Sequence, residues 1–287
     1  MKIQPHWRIL TIGDGDLSFS HSLAKHHPCK ELVATVYDQE PVVREKYANH
    51  QFIDALRQRG IPVYTGIDIQ HPSQYQRVLA AHLRQFDVVI FQFPLITGED
   101  AYNAFKHAQK RTSANLLNRI LLRHFLINCV ADLLDPQGEQ LCLISSKDVK
   151  PYIEWDIERS LHLNTPLHYL GKSPFNMEDF PEYQIRNVNR DKFVKDTKSF
   201  TYVWSPNANI PDWITTPNVE HVVNNEVSEF KENETATEQH KTDAKAYCNI
   251  CQAGPFTSEQ DIAIHQATKK HQQLKRYHDD WLAYLAS

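Results

Sequence analysis

Arg8-Ile9-Leu10-Thr11-Ile12-Gly13-Asp14-Gly15-Asp16-Leu17-Ser18-Phe19-Ser20 is an apolar run that meets a two-glycine turn and continues into a helix-forming stretch. Ile9, Leu10 and Ile12 are the branched or bulky residues of a strand covered on both faces, as in a parallel sheet. Gly13 and Gly15 end it. Lacking Cβ atoms, they take positive φ and let a ligand come against the main chain, and a helix starting near Asp16 or Leu17 presents free N–H groups to it. The usual dinucleotide fingerprint wants a third glycine where this chain has Ser18, so the turn alone does not name its ligand.

Working outward, Leu32-Val33-Ala34-Thr35-Val36-Tyr37 reads as a second strand ending in Asp38, at the distance where an acidic residue grips ribose hydroxyls. A third run, residues 61–67, ends in Asp68. Ligands of open α/β sheets lie beyond the carboxyl ends of the strands, so the glycine turn, Asp38 and Asp68 are expected to share one crevice. The plainer alternative makes both aspartates helix N-caps.

Val43, Tyr47, Phe52, Ala55 and Leu56 recur at helical spacing between residues 41 and 59, and Gly60 stops that helix. Residues 72–83 read as a second crossover helix. Asp87-Val88-Val89-Ile90-Phe91 is a continuous apolar strand, Leu116 to Leu134 a long amphipathic helix, and Gln140-Leu141-Cys142-Leu143-Ile144-Ser145 a fifth strand. Cys129 and Cys142 read as packing residues, because apolar neighbours raise a thiol's pKa. Residues 165–171 and 199–204 form a final strand pair, and the excursion between them mixes Tyr183 and Phe193 with Arg186, Arg190, Lys192, Lys195 and Lys198, an expected RNA-facing edge.

Gln92-Phe93-Pro94-Leu95 leaves the fourth strand at its carboxyl end. There Gln92 can offer its amide to a base edge, and Phe93 or Tyr102 can stack on a flipped base; a simple proline turn is the alternative. Lys106, His107, Lys110 and Arg111 follow as a small basic cluster suited to phosphates.

These residues carry a resemblance. Gly13 to Ser20 with Ser22-Leu23-Ala24, then Gly66-Ile67-Asp68, Phe86 to Pro94, and Lys147 with Pro151-Tyr152-Ile153-Glu154-Trp155 resemble the methyltransferase-like domain of the eukaryotic 25S ribosomal RNA uridine-N3 methyltransferases. It covers about residues 8 to 204. It implies a Rossmann-like class I methyltransferase with a mostly parallel seven-stranded sheet, S-adenosylmethionine as cofactor and uridine N3 as acceptor. One departure falls on the acceptor loop, where the family's Asn-Phe-Pro-His is Gln92-Phe93-Pro94-Leu95 here. The candidate catalytic residues are Gln92, Phe93, Pro94 and Lys147. The candidate cofactor-binding residues are Gly13, Asp14, Gly15, Asp16, Ser18, Asp38, Asp68 and Ile69. Asp14, Asp16 and Lys147 remain open as the group that handles the imide proton and charge.

At 287 residues, 41% hydrophobic and 23% charged, the chain can bury a full core and carry a second small module. Met1 to Pro5 reach the first strand at once, which leaves no room for a signal peptide, and charged or polar residues interrupt the longest apolar region, so no membrane span is expected. Five cysteines suit free thiols and metal ligands in a reducing compartment, and a cytoplasmic monomer is the expectation, with the nucleolus kept open. Residues 205–244 read as an acidic linker, flexible after about Pro217. Between residues 205 and 240, Asp212, Glu220, Glu226, Glu229, Glu232, Glu234 and Glu238 face only Lys231, which more than accounts for the net charge of −4 and leaves the flanking modules slightly basic.

Residues 245–287 hold the sharpest spacing: Cys248-x2-Cys251, thirteen residues, then His265-x5-His271. Two thiolates and two imidazoles so spaced make a structural zinc site of ββα type, similar to a matrin or U1-type finger. Lys245, Lys269, Lys270, Lys275 and Arg276 make the finger basic and suit it to RNA phosphates. The expected whole is a methyltransferase unit, residues 1–204, joined by the linker to an RNA-holding finger. Ribosomal RNA is the implied substrate and transfer RNA an alternative; a noncatalytic RNA-binding protein and a nicotinamide dehydrogenase are the competing readings.

Overall fold

The computed structural model describes residues 1–47, 51–96, 112–187, 190–193, 197–217, 229–232 and 246–287. The chain divides into two compact units, Met1–Asn218 and Val219–Ser287. In the first, strands β1 (Arg8–Ile12), β2 (Glu31–Thr35), β3 (Val63–Tyr64), β4 (Val88–Gln92), β5 (Leu141–Lys147), β6 (His168–Pro174), β9 (Ser199–Ser205) and β10 (Thr216–Pro217) form one sheet in the order β10-β6-β9-β5-β4-β1-β2-β3. β7 (Arg186–Asn187) and β8 (Arg190–Phe193) pair as a separate hairpin. The strands from β3 across to β5 run parallel, and β9 enters antiparallel between β5 and β6.

The sheet therefore has the expected seven strands plus an eighth, the two-residue β10 at its edge. β10 sits close because Gly171 opposite it is a glycine, with φ +133; a Cβ there would lie 2.4 Å from the Thr216 carbonyl oxygen. Trp213 meets Trp7 edge-on and Ile214 is buried, so residues 205–217, assigned to the linker from composition, pack on the first unit. A polar composition misleads there because two apolar side chains suffice to pin a short return strand.

Helix α1 (Ser18–His26) covers one face of the sheet, where Phe19 and Leu23 join Trp7, Ile9, Val88, Ile90, Leu141, Leu143 and Val203 in the core. A second cluster of Leu17, Val36, Val43, Tyr47, Phe52, Ile53 and Leu56 seats α2 (Glu40–Lys46) and α3 (Gln51–Gln58). One helix was expected across these two. It is interrupted because Tyr47 is extended, with φ −116° and ψ 125°, and its N–H closes α2 on the Val43 carbonyl. α4 (Pro72–Val78) ends in a short 3-10 turn, and α5 (Ala114–Asn128) starts where the Ser113 side chain accepts the Leu116 N–H. α6 is the single turn Ile157–Ser160. The third strand is shorter than the apolar run 61–67, because Gly66 at φ +71 turns the chain out of the ladder.

At the opposite edge of the sheet from the glycine turn, the Arg8 guanidinium makes two hydrogen bonds to the Asp87 carboxylate and one to Asp135, and its backbone N–H makes another to Asp87. In the second unit β11 (Phe230–Glu232), β12 (Ala246–Cys248) and β13 (Ala253–Phe256) form a small antiparallel sheet beside α7 (Glu259–Gln266) and α8 (Lys269–Leu285). No helix among the described residues is long and apolar enough to cross a membrane.

Candidate active site and metal centre

The first turn is built from inside. Gly13 lies at φ +59, and a Cβ on it would be 2.9 Å from the Phe91 ring of the neighbouring strand. Leu17, also left-handed at φ 67, precedes α1 and offers no capping side chain. Two carboxylates cap the helix instead. Asp16 accepts the Ser18 N–H and hydroxyl, at 3.1 and 2.6 Å, and Asp14 accepts the N–H of Ser20 at 2.6 Å together with its hydroxyl. The helix N–H groups that the sequence leaves open to a ligand are thus taken by the protein's own acids. Asp14, Asp16 and Ser18 are all buried. Burial pushes the Asp14 carboxyl up to about 8, against the opposing pull of Ser20.

The neighbouring strand tips close in on this turn. Asp14 N–H donates to the Thr35 carbonyl at 2.9 Å, and Gly66 N–H to the Asp38 carbonyl at 3.1 Å. Gly66 sits at φ +71, a conformation that favours glycine, and a Cβ on it would displace the end of the Gln39 side chain. The Asp38 carboxylate pairs with Lys46 at 3.0 Å, and Tyr37 beside it is 66% exposed. Asp68 accepts the Gln70 N–H and faces His71 Nδ1 at 2.8 Å. Neither aspartate is a helix N-cap: Gln39 takes that place on α2 and His71 on α4. Ile69 is buried, and its carbonyl accepts from Asn128. Tyr47, read from sequence only as a packing residue, brings its hydroxyl within 3.8 Å of where a Gly15 Cβ would stand.

The acceptor segment sits beside the first turn. Ile12 pairs with Phe91, Gln92 with Ser145, and Phe93 N–H donates to the Ser145 carbonyl at 3.0 Å. Gln92 is 7% exposed, and neither atom of its amide has a hydrogen-bond partner among the described residues. A buried amide left unpaired costs about 1–3 kcal/mol, which a water or a ligand at this strand tip would offset. Phe93 corrects the expectation of base stacking. At φ 46 its side chain turns inward, and its ring packs on Phe175 and Tyr183 with centroids 5.3 and 6.4 Å away.

Tyr183 corrects the RNA-facing edge in the same way, since it is buried against Phe19. Pro94 is buried, and Asn118, unremarked in the sequence, holds the outgoing chain by bonds of 2.8 Å to both the N–H and the carbonyl of Ile96. Lys147, the last residue of β5, is buried too. Trp155 is core, at 1% exposure. Of the proposed basic residues Lys198 is exposed and pairs with Asp148 at 3.3 Å. Tyr102, Lys106, His107, Lys110, Arg111 and Lys195 lie outside the described residues, as do the side chains of Arg186, Arg190 and Lys192.

In the second unit Cys248, Cys251, His265 and His271 bring one ligand atom each to within 4.8 Å of one another. His271 Nδ1 lies 3.6 Å from Cys248 Sγ, 3.4 Å from Cys251 Sγ and 3.1 Å from His265 Nε2. A tetrahedral zinc with bonds of about 2.3 Å to sulfur and about 2.0–2.1 Å to nitrogen separates S from N by roughly 3.6 Å and N from N by roughly 3.4 Å. The four side chains fit that ion. Thr268 caps α8 by accepting the His271 N–H, and Phe256 packs on the His265 ring, which fixes both imidazoles.

A mostly parallel sheet whose glycine turn, acidic strand tips and acceptor loop meet at the carboxyl edge defines the class of Rossmann-like methyltransferases. The chain belongs to the BMT5-like family, described as rRNA (uridine-N3-)-methyltransferase, whose sequence model matches residues 10–187. An Arabidopsis thaliana protein, heavy metal-associated isoprenylated plant protein 41, is 28% identical over 183 residues, which is 62% of this chain and 32% of that protein. The chain thus spans about a third of the length of the curated relative it matches. Among solved structures, a protein of the NADB-Rossmann superfamily from Streptococcus agalactiae is similar at 8% identity and TM-score 0.39, covering 71% of this chain and 63% of that one. An antibiotic-related methyltransferase is similar at 12% identity and TM-score 0.42, covering 69% and 88%.

Proposed function

We propose that the first unit transfers the methyl group of S-adenosylmethionine to N3 of a uridine in ribosomal RNA, with the finger as a zinc-bound RNA anchor. The observation that carries this reading is Gln92: a buried amide with no partner, at the tip of β4, beside the glycine turn. Family membership supplies the reaction class.

The residues at the crevice suit a sulfonium nucleoside better than a dinucleotide. Asp14 and Asp16 consume the N–H groups a diphosphate needs, which counts against a nicotinamide dehydrogenase. What remains is the bare main chain of Gly13 and Gly15 and the Asp38 carboxylate, which matches ribose hydroxyls. When bound, S-adenosylmethionine supplies an electrophilic methyl group. The protein's part is to hold the acceptor nitrogen in line with it and keep water out.

Uridine N3 is paired inside a helix, so the base must be single-stranded or flipped to reach Gln92. The Gln92 amide then holds a carbonyl edge of the base. Since both first-turn carboxylates are engaged in capping α1, the N3 proton leaves to solvent and Lys147 is the residue assigned to the negative charge it leaves on the imide. An rRNA substrate is in keeping with work in the cytoplasm or the nucleolus.

Nucleoside mass spectrometry of RNA from cells with and without the protein tests the reading. Loss of 3-methyluridine from rRNA is expected. Unchanged 3-methyluridine in every RNA class refutes the acceptor assignment, and calorimetry showing no heat with S-adenosylmethionine refutes the cofactor.

A further inference from the structure

We infer that Glu229, an acid the composition places in the linker, is the positioning residue of the zinc centre. The inference rests on the zinc reading above. Glu229 stands at the head of β11, where its carbonyl accepts the Asn249 N–H at 3.0 Å, and that bond brings it against the finger. Its side chain is held from both helices. Oε1 lies 3.2 Å from His271 Nε2 and accepts from Gln266 Nε2 at 3.0 Å, and Oε2 lies 3.5 Å from Lys275 Nζ.

The chemistry follows from the two ring nitrogens of His271. Nδ1 faces Cys248, Cys251 and His265, so the lone pair a metal needs must be on Nδ1. A neutral imidazole then carries its proton on Nε2, the nitrogen that lies 3.2 Å from the Glu229 carboxylate. In the other tautomer a ring lone pair would face the carboxylate and an N–H would fill the metal's place. Glu229 therefore selects the ligating tautomer and fixes the ring. It is not a fifth ligand, because it binds the far nitrogen of the ring. Two thiolates and two neutral imidazoles already balance a divalent ion, and Lys275 offsets the added carboxylate.

The test uses the full chain and competition for zinc with a fluorescent chelator. Glu229→Ala should weaken zinc binding by about 10–100-fold, and Glu229→Gln, whose amide oxygen still accepts the Nε2 proton, by about 10-fold or less. Lys275→Ala touches Glu229 but not His271 and should stay within about threefold of wild type. Long-range 15N–1H spectra of the zinc-loaded chain should show His271 protonated at Nε2, and that proton should exchange with water faster in Glu229→Ala than in wild type, a change that a merely structural strand would not cause. Wild-type affinity in Glu229→Ala, or a His271 proton on Nδ1, overturns the inference while zinc binding stands. A wild-type chain that takes no more zinc than Cys251→Ser overturns the zinc reading itself.

Discussion

Replacing Gly13 by alanine tests the first turn where it is tightest. The residue sits at φ +59, a conformation that costs an L-residue about 1–2 kcal/mol. The new Cβ would stand 2.9 Å from Phe91 Cε2. That ring has little room to retreat, because it is 7% exposed and packs on Phe125 with centroids 5.2 Å apart. Overpacking of this kind costs about 1–3 kcal/mol. Together the two come to roughly 2–5 kcal/mol, a fall in Tm of roughly 5–15 °C for a unit of this size. Calorimetric melts of Gly13→Ala in the wild-type and Phe91→Leu backgrounds separate them. With the blocking ring removed, only the backbone share of about 1–2 kcal/mol should remain. Equal losses in both backgrounds, or a Tm within about 2 °C of wild type, would refute the close packing of the turn on β4.

Gln92→Leu removes a buried amide that the fold does not pair, so urea unfolding should show stability unchanged or raised by about 1 kcal/mol. Transfer of a labelled methyl group to RNA should fall by about 100-fold in the same variant, and full activity there would sink the acceptor role. The Asp14 carboxyl, raised to about 8 by burial, keeps a proton that an unfolded chain sheds near about 3.9. That stability is complete below about pH 4 and lost as pH rises toward 8, so urea midpoints should drop across this range in wild type and less in Asp14→Asn; parallel slopes would count against it. Removing zinc with a strong chelator should erase the helical dichroism of α7 and α8 and leave the melt of the first unit in place, whereas an unchanged spectrum would mean that the helices stand without metal.

The features legible in sequence are those whose partners are near in the chain or repeat at a fixed period. Ile9, Leu10 and Ile12 before Gly13 announce a buried strand and a turn, and the Cys248, Cys251, His265 and His271 spacing suffices to suggest a metal, because each depends on a few adjacent residues. The side chains around the crevice depend on distant ones. Asp14 and Asp16 cap α1 from within a few residues, yet nothing local reveals that Tyr47 breaks a helix to reach Gly15. Phe93 turns away from any base because Phe175 and Tyr183, some eighty residues on, are waiting for its ring. Glu229 is the plainest instance: composition makes it one more solvated acid, and strand pairing with β12 carries it to His271. Pattern reports which residues must be buried or bound, whereas the direction a polar side chain takes is decided by whichever donor or acceptor folding brings within about 3 Å.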